Sequence, residues 1–257
     1  MSIPLRHLSA AVSAPLFAWL FLPAQARAQF AVSATAESQY RVQGVSLTNG
    51  QPDGRIGVSY DNPSGAYGGA SAIIGETVDD GVRPLGFLGY LGFAKQTRSG
   101  LDWDVGIMNT DITLYLSQPK TGPYPAKTGG SSVNPLEYKF DYTNIYAGVS
   151  GRNLSVKVYL SPDYLGQRVT TTYVDLSGVI RPVSRLRLYM HVGALTPLSG
   201  ASGTIRREQF DLGPGAAWEF RHGEISLTWT VTTPRVEYPP GFSQRRSALV
   251  LSLTRSF

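Results

Sequence analysis

From Phe30 to the last residue the chain changes polarity at almost every second position, in about twelve separate segments. Period two is the repeat of a β-strand, whose successive side chains point to opposite faces. In the first segment Val32, Ala34, Ala36, Tyr40 and Val42 alternate with Ser33, Thr35, Glu37, Gln39, Arg41 and Gln43. Ile56, Val58 and Tyr60 alternate with Arg55, Gly57 and Ser59, and 65–74 continues the pattern with glycine and alanine on both faces. Leu85, Phe87, Leu91 and Phe93 form one row, and Leu101, Trp103, Val105 and Ile107 alternate with Asp102, Asp104, Gly106 and Met108. Tyr138, Phe140 and Tyr142 stand against Lys139, Asp141 and Thr143, with a slip near Ile145 of the kind a bulge causes. Later segments repeat the device: Leu154 to Leu160, Val174 to Ile180, Leu186 to Val192, Phe210 to Phe220, Ile225 to Val231 and the run 247–257.

So much alternation decides how composition is read. A mean hydropathy of -0.09 would ordinarily indicate a soluble protein. In a membrane barrel, however, lipid-facing and lumen-facing residues alternate and their average cancels. No apolar run after the first 28 residues approaches the roughly 18 residues of a membrane helix. With 28 Gly, 17 Pro and 14 Tyr the chain reads as all-β.

The links between segments separate barrel from soluble sandwich. Short ones, at 61–65, 98–100, 151–153, 182–184 and 221–223, alternate with longer ones at 44–54, 75–84, 117–137, 161–169, 196–208 and 233–246. A closed transmembrane barrel has tight turns at one end and long loops at the other. A soluble sandwich has no reason to sort its loops by parity. The expectation is an all-β, closed antiparallel transmembrane β-barrel of about twelve strands covering 29–257, with the long loops outside the cell. The Gly-Gly-Ser-Ser centre of 117–137 favours a solvated external loop over an inward constriction.

Residues 1–28 read as a secretory signal peptide: Arg6 and His7 precede an apolar stretch, and Ala26-Arg27-Ala28, or alternatively Ala24-Gln25-Ala26, supplies small residues for cleavage. Its removal takes away two arginines and no acid, so the formal charge falls from +5 to +3. Basic residues are interspersed with acids, which argues against a nucleic-acid partner. Without cysteine there is no disulfide framework, thiolate metal site or cysteine nucleophile. In 247–257 the odd positions Leu249, Leu251 and Leu253 form an apolar face, and the chain stops on Phe257. This looks like the terminal strand of a bacterial outer-membrane barrel, its aromatic end read by the barrel-insertion machinery. The partners expected are therefore outer-membrane lipid, that machinery, and small solutes or ions; the oligomeric state is left open.

Residues 40–52, reading Y-R-V-Q-G-V-S-L-T-N-G-Q-P, resemble the signature near the start of the TorF-like family of outer-membrane porins. Residues 67–72 (Y-G-G-A-S-A), 142–150 (Y-T-N-I-Y-A-G-V-S), 161–164 (S-P-D-Y) and His191-Val192-Gly193 match later landmarks in the same order, across essentially the whole mature chain. This chain has Gln43-Gly44 where the family commonly has Arg-Gly, and Asn144 where it commonly has glutamate. The resemblance implies a passive envelope channel and brings no agreed site residues.

In the register above, Glu37, Arg41, Arg55, Asp102, Asp104, Lys157, Asp175, Arg181, Arg185, Arg187 and His191 face inward as pore-lining candidates, together with Lys139, Asp141, Asp211, Glu219 and Glu224. Charge in a spanning strand must face water or an opposite charge, since Arg or Lys at the lipid midplane costs about 2 to 4 kcal/mol. Arg181, Arg185, Arg187 and His191 could form a cationic wall guiding anions, or the first two could anchor the periplasmic rim. About twelve strands lie between filled eight-stranded barrels and wide porins, so a narrow pore is expected, unless the charges pair across the barrel and fill it. Trp103, Trp218, Trp229, Tyr60, Tyr138 and Tyr142 are candidates for the interfacial aromatic girdles. No catalytic constellation, cofactor site or histidine metal pair is legible. The function expected is an outer-membrane porin-like channel and not an enzyme. The alternatives are a closed structural or adhesion barrel acting through its loops, and a barrel lipid hydrolase using His191.

Overall fold

The computed structural model describes residues 29–76, 81–116, 136–199, 205, 207–234 and 245–257. The predicted leader and most of the longest loop, 117–135, lie outside the described residues. In chain order the strands are β1 (Gln29–Glu37), β2 (Arg41–Val42), β3 (Val45–Ser46), β4 (Asp53–Asp61), β5 (Ala66–Gly75), β6 (Arg83–Gln96), β7 (Asp102–Leu116) and β8 (Leu136–Ser150). They continue with β9 (Leu154–Ser161), β10 (Thr170–Val183), β11 (Leu186–Ser199), β12 (Gln209–Leu212), β13 (Gly215–Phe220), β14 (Gly223–Thr232) and β15 (Ser247–Ser256). Apart from β2 and β3, and with β12 and β13 counted as one, each strand pairs antiparallel with its sequence neighbours, and β1 pairs with β15 to close the ring.

The ring has twelve staves, because β12 and β13 are halves of one stave between β11 and β14. Pro214 interrupts that stave, since proline has no N–H to give to a ladder. Its carbonyl still accepts a bond from Trp229 N at 2.9 Å, and Gly213 and His191 exchange backbone bonds at 2.9 and 3.2 Å. The connections sort as the sequence predicts: five short turns at one end, the longer links at the other.

The outside of the barrel is apolar. Leu251 is 50% exposed and Trp229 48%, while Ser252 and Thr254 beside them on β15 are 2% exposed. This inverts the arrangement of a soluble domain, and it fits strands with hydrocarbon outside and polar groups within. Trp103 and Trp218 lie near the short-turn end and Trp229 near the long-loop end, all facing outward.

Three stretches depart from the predicted register. β1 ends at Glu37 rather than near Val42; Ser38 N donates to Leu251 O at 2.9 Å and the chain then leaves the wall. Residues 39–48 are buried, so Tyr40 and Val42 do not face lipid. In β6, Ile73 pairs with Gly86 and Ile74 with Pro84, which leaves Leu85 as a bulge and turns it inward, out of the row formed by Phe87, Leu91 and Phe93. Gly86 takes φ +147, and a Cβ there would lie 2.0 Å from the Asp111 carbonyl oxygen, so the bulge requires glycine.

The third departure is β8. Phe140 and Tyr142 are buried inside, whereas Lys139 and Asp141 are exposed outside, the reverse of the expectation. Tyr138 likewise packs against the interior cluster, so neither it nor Tyr142 belongs to a girdle. The pairing with β7 runs unbroken from Asp102↔Ser150 to Leu116↔Leu136, with no bulge at Ile145. Strand length explains the inversion. A strand of 15 residues is about 50 Å long, or about 35 Å along the axis at a tilt near 45°, against an apolar belt of about 25 Å. β7 and β8 therefore overhang the belt at the long-loop end, where the outside is water.

Candidate functional site

Within the ring, residues 38–52 fold back into the lumen as a hairpin. β2 and β3 pair only with each other, Arg41↔Ser46 and Val42↔Val45, in a two-stranded sheet separate from the wall. Leu47 N donates to Tyr40 O at 2.8 Å and Tyr40 N to Thr48 Oγ1 at 3.0 Å. Gln43 and Gly44 form the tip, both at positive φ (48° and 79°), as the tightest two-residue hairpin turns demand. A Cβ on Gly44 would sit 2.7 Å from Thr232 Cβ and 3.1 Å from Asp211 Cβ.

The hairpin touches most of the circumference. Arg41 donates to Gln39 Oε1 at 3.1 Å, to the Gly44 carbonyl, and to the Arg245 carbonyl at 2.9 Å. Tyr164 OH donates to Gln43 Oε1 at 3.0 Å, and the Arg55 guanidinium on β4 lies 5.7 Å from the Tyr40 ring centroid. Around it Ile73, Leu85, Ile112, Leu114, Phe140 and Leu195 make an apolar interior. A cavity of about 20 Å³, room for about one water, separates the tip from Asn144, Tyr159, Tyr173 and Asp175.

On the short-turn side of the tip the lumen is charged, and its charges form compact networks. His191 Nδ1 is 2.6 Å from Asp175 Oδ2 and Nε2 is 2.5 Å from Asp211 Oδ1. That setting suits an imidazolium, which presents a donor at each nitrogen. Tyr173 OH donates to Asp211 at 3.2 Å and Ser177 Oγ to Asp175 at 2.6 Å. Lys157 Nζ is 2.6 Å from Asp104 Oδ2, which also accepts from Tyr67 OH at 3.1 Å. Arg187 bridges Glu224 at 2.5 Å and Glu219 at 3.3 Å, and Arg55 pairs with Glu37 at 3.1 Å. Removing one partner of such a buried pair leaves an uncompensated charge and costs about 3 to 5 kcal/mol.

The wall is also asymmetric. Tyr67, Tyr146, Tyr159 and Tyr173 line β5, β8, β9 and β10, with successive ring centroids of the last three 5.7 and 6.0 Å apart. Ser226, Thr228 and Thr230 of β14, Ser252 and Thr254 of β15 and Thr35 of β1 present hydroxyls instead. The interior thus carries both signs of charge, aromatic faces and a hydroxyl surface.

Of the pore-lining candidates, Glu37, Asp104, Lys157, Asp175, Arg187 and His191 point inward from the wall and are buried, and Arg55 points inward half-buried. Arg41 is inside but on the hairpin, not on a stave, because β1 has already ended. Asp102 is half-buried at the short-turn end, with Gln96 Nε2 at 3.4 Å. Arg181 is exposed at that rim and pairs with Glu219 at 3.2 Å; Arg185 lies in the exposed turn, so the four-residue cationic wall is not assembled. Lys139 and Asp141 are outside. Phe257 is 71% exposed, its N–H donating to Val32 O at 2.9 Å. The sequence reading missed the hairpin: Gly44 between Val42 and Val45 is a turn residue, but Gln43 is not one of the residues that ordinarily take the positive φ it has here, so the dipeptide carries only half of the usual tight-turn signal.

The sequence profile of a family described as "Bacterial protein of unknown function (Gcw_chp)" matches residues 23–233. No curated protein matches the sequence. Among solved structures the fold is similar to that of the NanC porin, with a TM-score of 0.54 at 9% identity over 89% of this chain and 99% of that one. Salmonella typhi OmpF in complex with daunomycin gives 0.40 at 9% identity, over 90% and 97% of the two chains. The outer membrane phospholipase A from Escherichia coli gives 0.37 at 11%, over 88% and 94%. At 9% identity the first likeness concerns the fold alone, and the lower scores of the other two add nothing to it.

Proposed function

We propose that the chain, which belongs to the Gcw_chp family of bacterial proteins, is an outer-membrane channel passing small hydrophilic solutes or ions by passive diffusion, with residues 38–52 as its plug. The observation that carries this reading is that the plug is no part of the barrel sheet: β2 and β3 pair only with each other, so the hairpin can leave while all twelve staves stay paired. What it would uncover is a lumen of charges and hydroxyls. Asp53, where the chain rejoins the wall, adds support: its carboxylate is buried with no hydrogen-bond partner among the described residues. Withdrawal of the hairpin would hydrate that group, offsetting part of the loss of hairpin contacts. The resemblance of residues 40–52 to the TorF-like porins points the same way. Export by the leader of residues 1–28, insertion through the Phe257 signal, and long loops facing outside the cell complete the reading.

Single-channel recording of the refolded mature protein in planar bilayers, in salts of different ion sizes, tests it. Replacing residues 40–47 with a Gly-Ser linker is expected to give steady conductance where the unaltered protein opens briefly. Gly44→Ala, at a φ that costs an L-residue about 1 to 2 kcal/mol, should raise the open fraction about tenfold or more. Silence from all three proteins would overturn the channel reading in favour of a closed barrel working through its loops. We infer no enzymatic role for His191. It lies inside the lumen between two carboxylates, and Ser177 hydrogen-bonds Asp175 rather than the imidazole. His191→Ala is accordingly expected to change conductance and leave lipid hydrolysis at background.

A further inference from the structure

Among the described residues the two rims of the barrel differ in charge. At the short-turn end Lys95 and Arg255 close strands β6 and β15, and Arg98, Arg152, Arg185 and Arg221 each sit in or beside one of the short turns, all six exposed. The acids at that end, Asp61, Asp102 and Glu219, are half-buried, and Glu219 is taken by Arg181 and Arg187. At the long-loop end the described exterior is mixed in sign: Lys139, Arg168, Arg207, Arg245 and Arg246 are exposed, but so are Asp111, Asp141, Asp163 and Glu208, whereas no acid of the short-turn end is exposed among the described residues.

Position says what the basic collar faces. Lys95 continues the outward row Leu91, Phe93, and Arg255 continues the outward row Leu251, Leu253, so each cation lies one step beyond side chains in the apolar belt. Trp103, Trp218 and Phe220 face outward near the same rim. Aromatic rings followed by long cationic side chains are what a strand presents where hydrocarbon gives way to headgroups: the stems stay in apolar surroundings and the charges reach the phosphates. Arginine adds a planar fork that matches phosphate oxygens two at a time.

We propose that the short-turn rim is a binding surface for anionic phospholipid headgroups, fixing the barrel's height and favouring acidic lipid in the leaflet it meets. The inference rests on the membrane placement given above, not on conduction. Two reporters, both made in the mature chain 29–257 and so free of Trp19, separate the rims: a Trp229→Phe protein keeps Trp103 and Trp218 near the collar, and a Trp103→Phe/Trp218→Phe protein keeps Trp229 near the long loops. Each is reconstituted into mixed vesicles of phosphatidylglycerol and phosphatidylcholine in which one lipid or the other is brominated, and quenching of tryptophan fluorescence is compared. The collar reporters should show a preference of about threefold or more for brominated phosphatidylglycerol, abolished in high salt. Trp229 should show little preference.

The same preference should vanish in the variant Lys95→Gln/Arg98→Gln/Arg152→Gln/Arg185→Gln/Arg221→Gln/Arg255→Gln, and the salt titration of the unaltered collar tests the point independently of how that variant refolds. Equal quenching by both lipids at the collar, an equal preference at both rims, or a preference that survives the six substitutions would overturn the proposal. A barrel that selects phosphatidylglycerol but never conducts would retain this inference and sink the channel reading. A chain that will not enter vesicles at all would sink both.

Discussion

The halves of the barrel solve opposite solvent problems. Toward the short turns, lipid-facing Trp103, Val105 and Ile107 lie outside, and Asp104, Lys157, Arg187 and Glu224 lie within. Toward the long loops, Asn109, Asp111, Lys139 and Asp141 lie outside, and Ile112, Leu114, Phe140 and Tyr142 lie within, around the hairpin. β7 and β8 pass through both regimes without a bulge between them. Backbone geometry therefore stays constant while the meaning of an apolar side chain reverses, from lipid contact to dry interior. Alternation reports that the two faces differ; it does not report which face is wet.

The sharpest way to break this contrast is to substitute neighbours of opposite fate. Phe140→Ala should lower the barrel's stability by about 3 to 5 kcal/mol, the loss typical of a deleted core ring. Asp141→Ala, one residue on and exposed, should stay within about 0.5 kcal/mol. Urea unfolding in detergent micelles measures both, and similar losses at the two positions would mean that the overhang is not a dry-cored segment. Next in size is an arginine scan of the outer face across the belt edge. Ile107→Arg should cost about 2 to 4 kcal/mol in lipid vesicles. Thr143→Arg, on the next outward rung, where Asn109 Nδ2 donates to Thr143 Oγ1 at 3.1 Å, should cost far less. Equal penalties would extend the belt past Thr143 and remove the overhang.

How much of this could be read from the sequence follows from the same contrast. Twelve staves, the parity of the links and the outward rows of β9, β11, β14 and β15 were legible because there lipid lies outside and polar groups inside, the one assumption the reading made. Asp104, Lys157, Asp175, Arg187 and His191 were placed inward for the same reason. Phe140 and Tyr142 depart from the pattern because they lie above the belt, where that assumption inverts. Leu85 was lost to a one-residue bulge, which shifts every position on one side of it to the other face. Tyr40, Val42 and Arg41 look like a continuing stave because a hairpin strand alternates just as a wall strand does. That the inward charges could pair across the barrel was legible, but which of them meet was not: Asp175, His191 and Asp211 come from three staves, and their meeting depends on strand stagger that local patterning does not encode.

The smallest effect tests the polar half most directly. Thr35 Oγ1 and Thr254 Oγ1 are 3.0 Å apart across the β1–β15 seam that closes the ring, both on the hydroxyl side of the lumen. In a lumen sealed by the plug, Thr35→Val removes a hydrogen bond worth about 1 kcal/mol and leaves its partner dry, while replacing both residues by valine should bring stability back close to the starting value. The double-mutant cycle should therefore give a coupling of about 1 kcal/mol. A hydrated seam would let water substitute for each missing hydroxyl, so the coupling would fall toward zero. The same cycle repeated in the background that lacks residues 40–47 should show that collapse, because the plug is what keeps this side of the lumen dry. Coupling that persists without the hairpin would mean that the seam is shielded by the wall itself, and that the wet half of the barrel is narrower than its inventory of charges suggests.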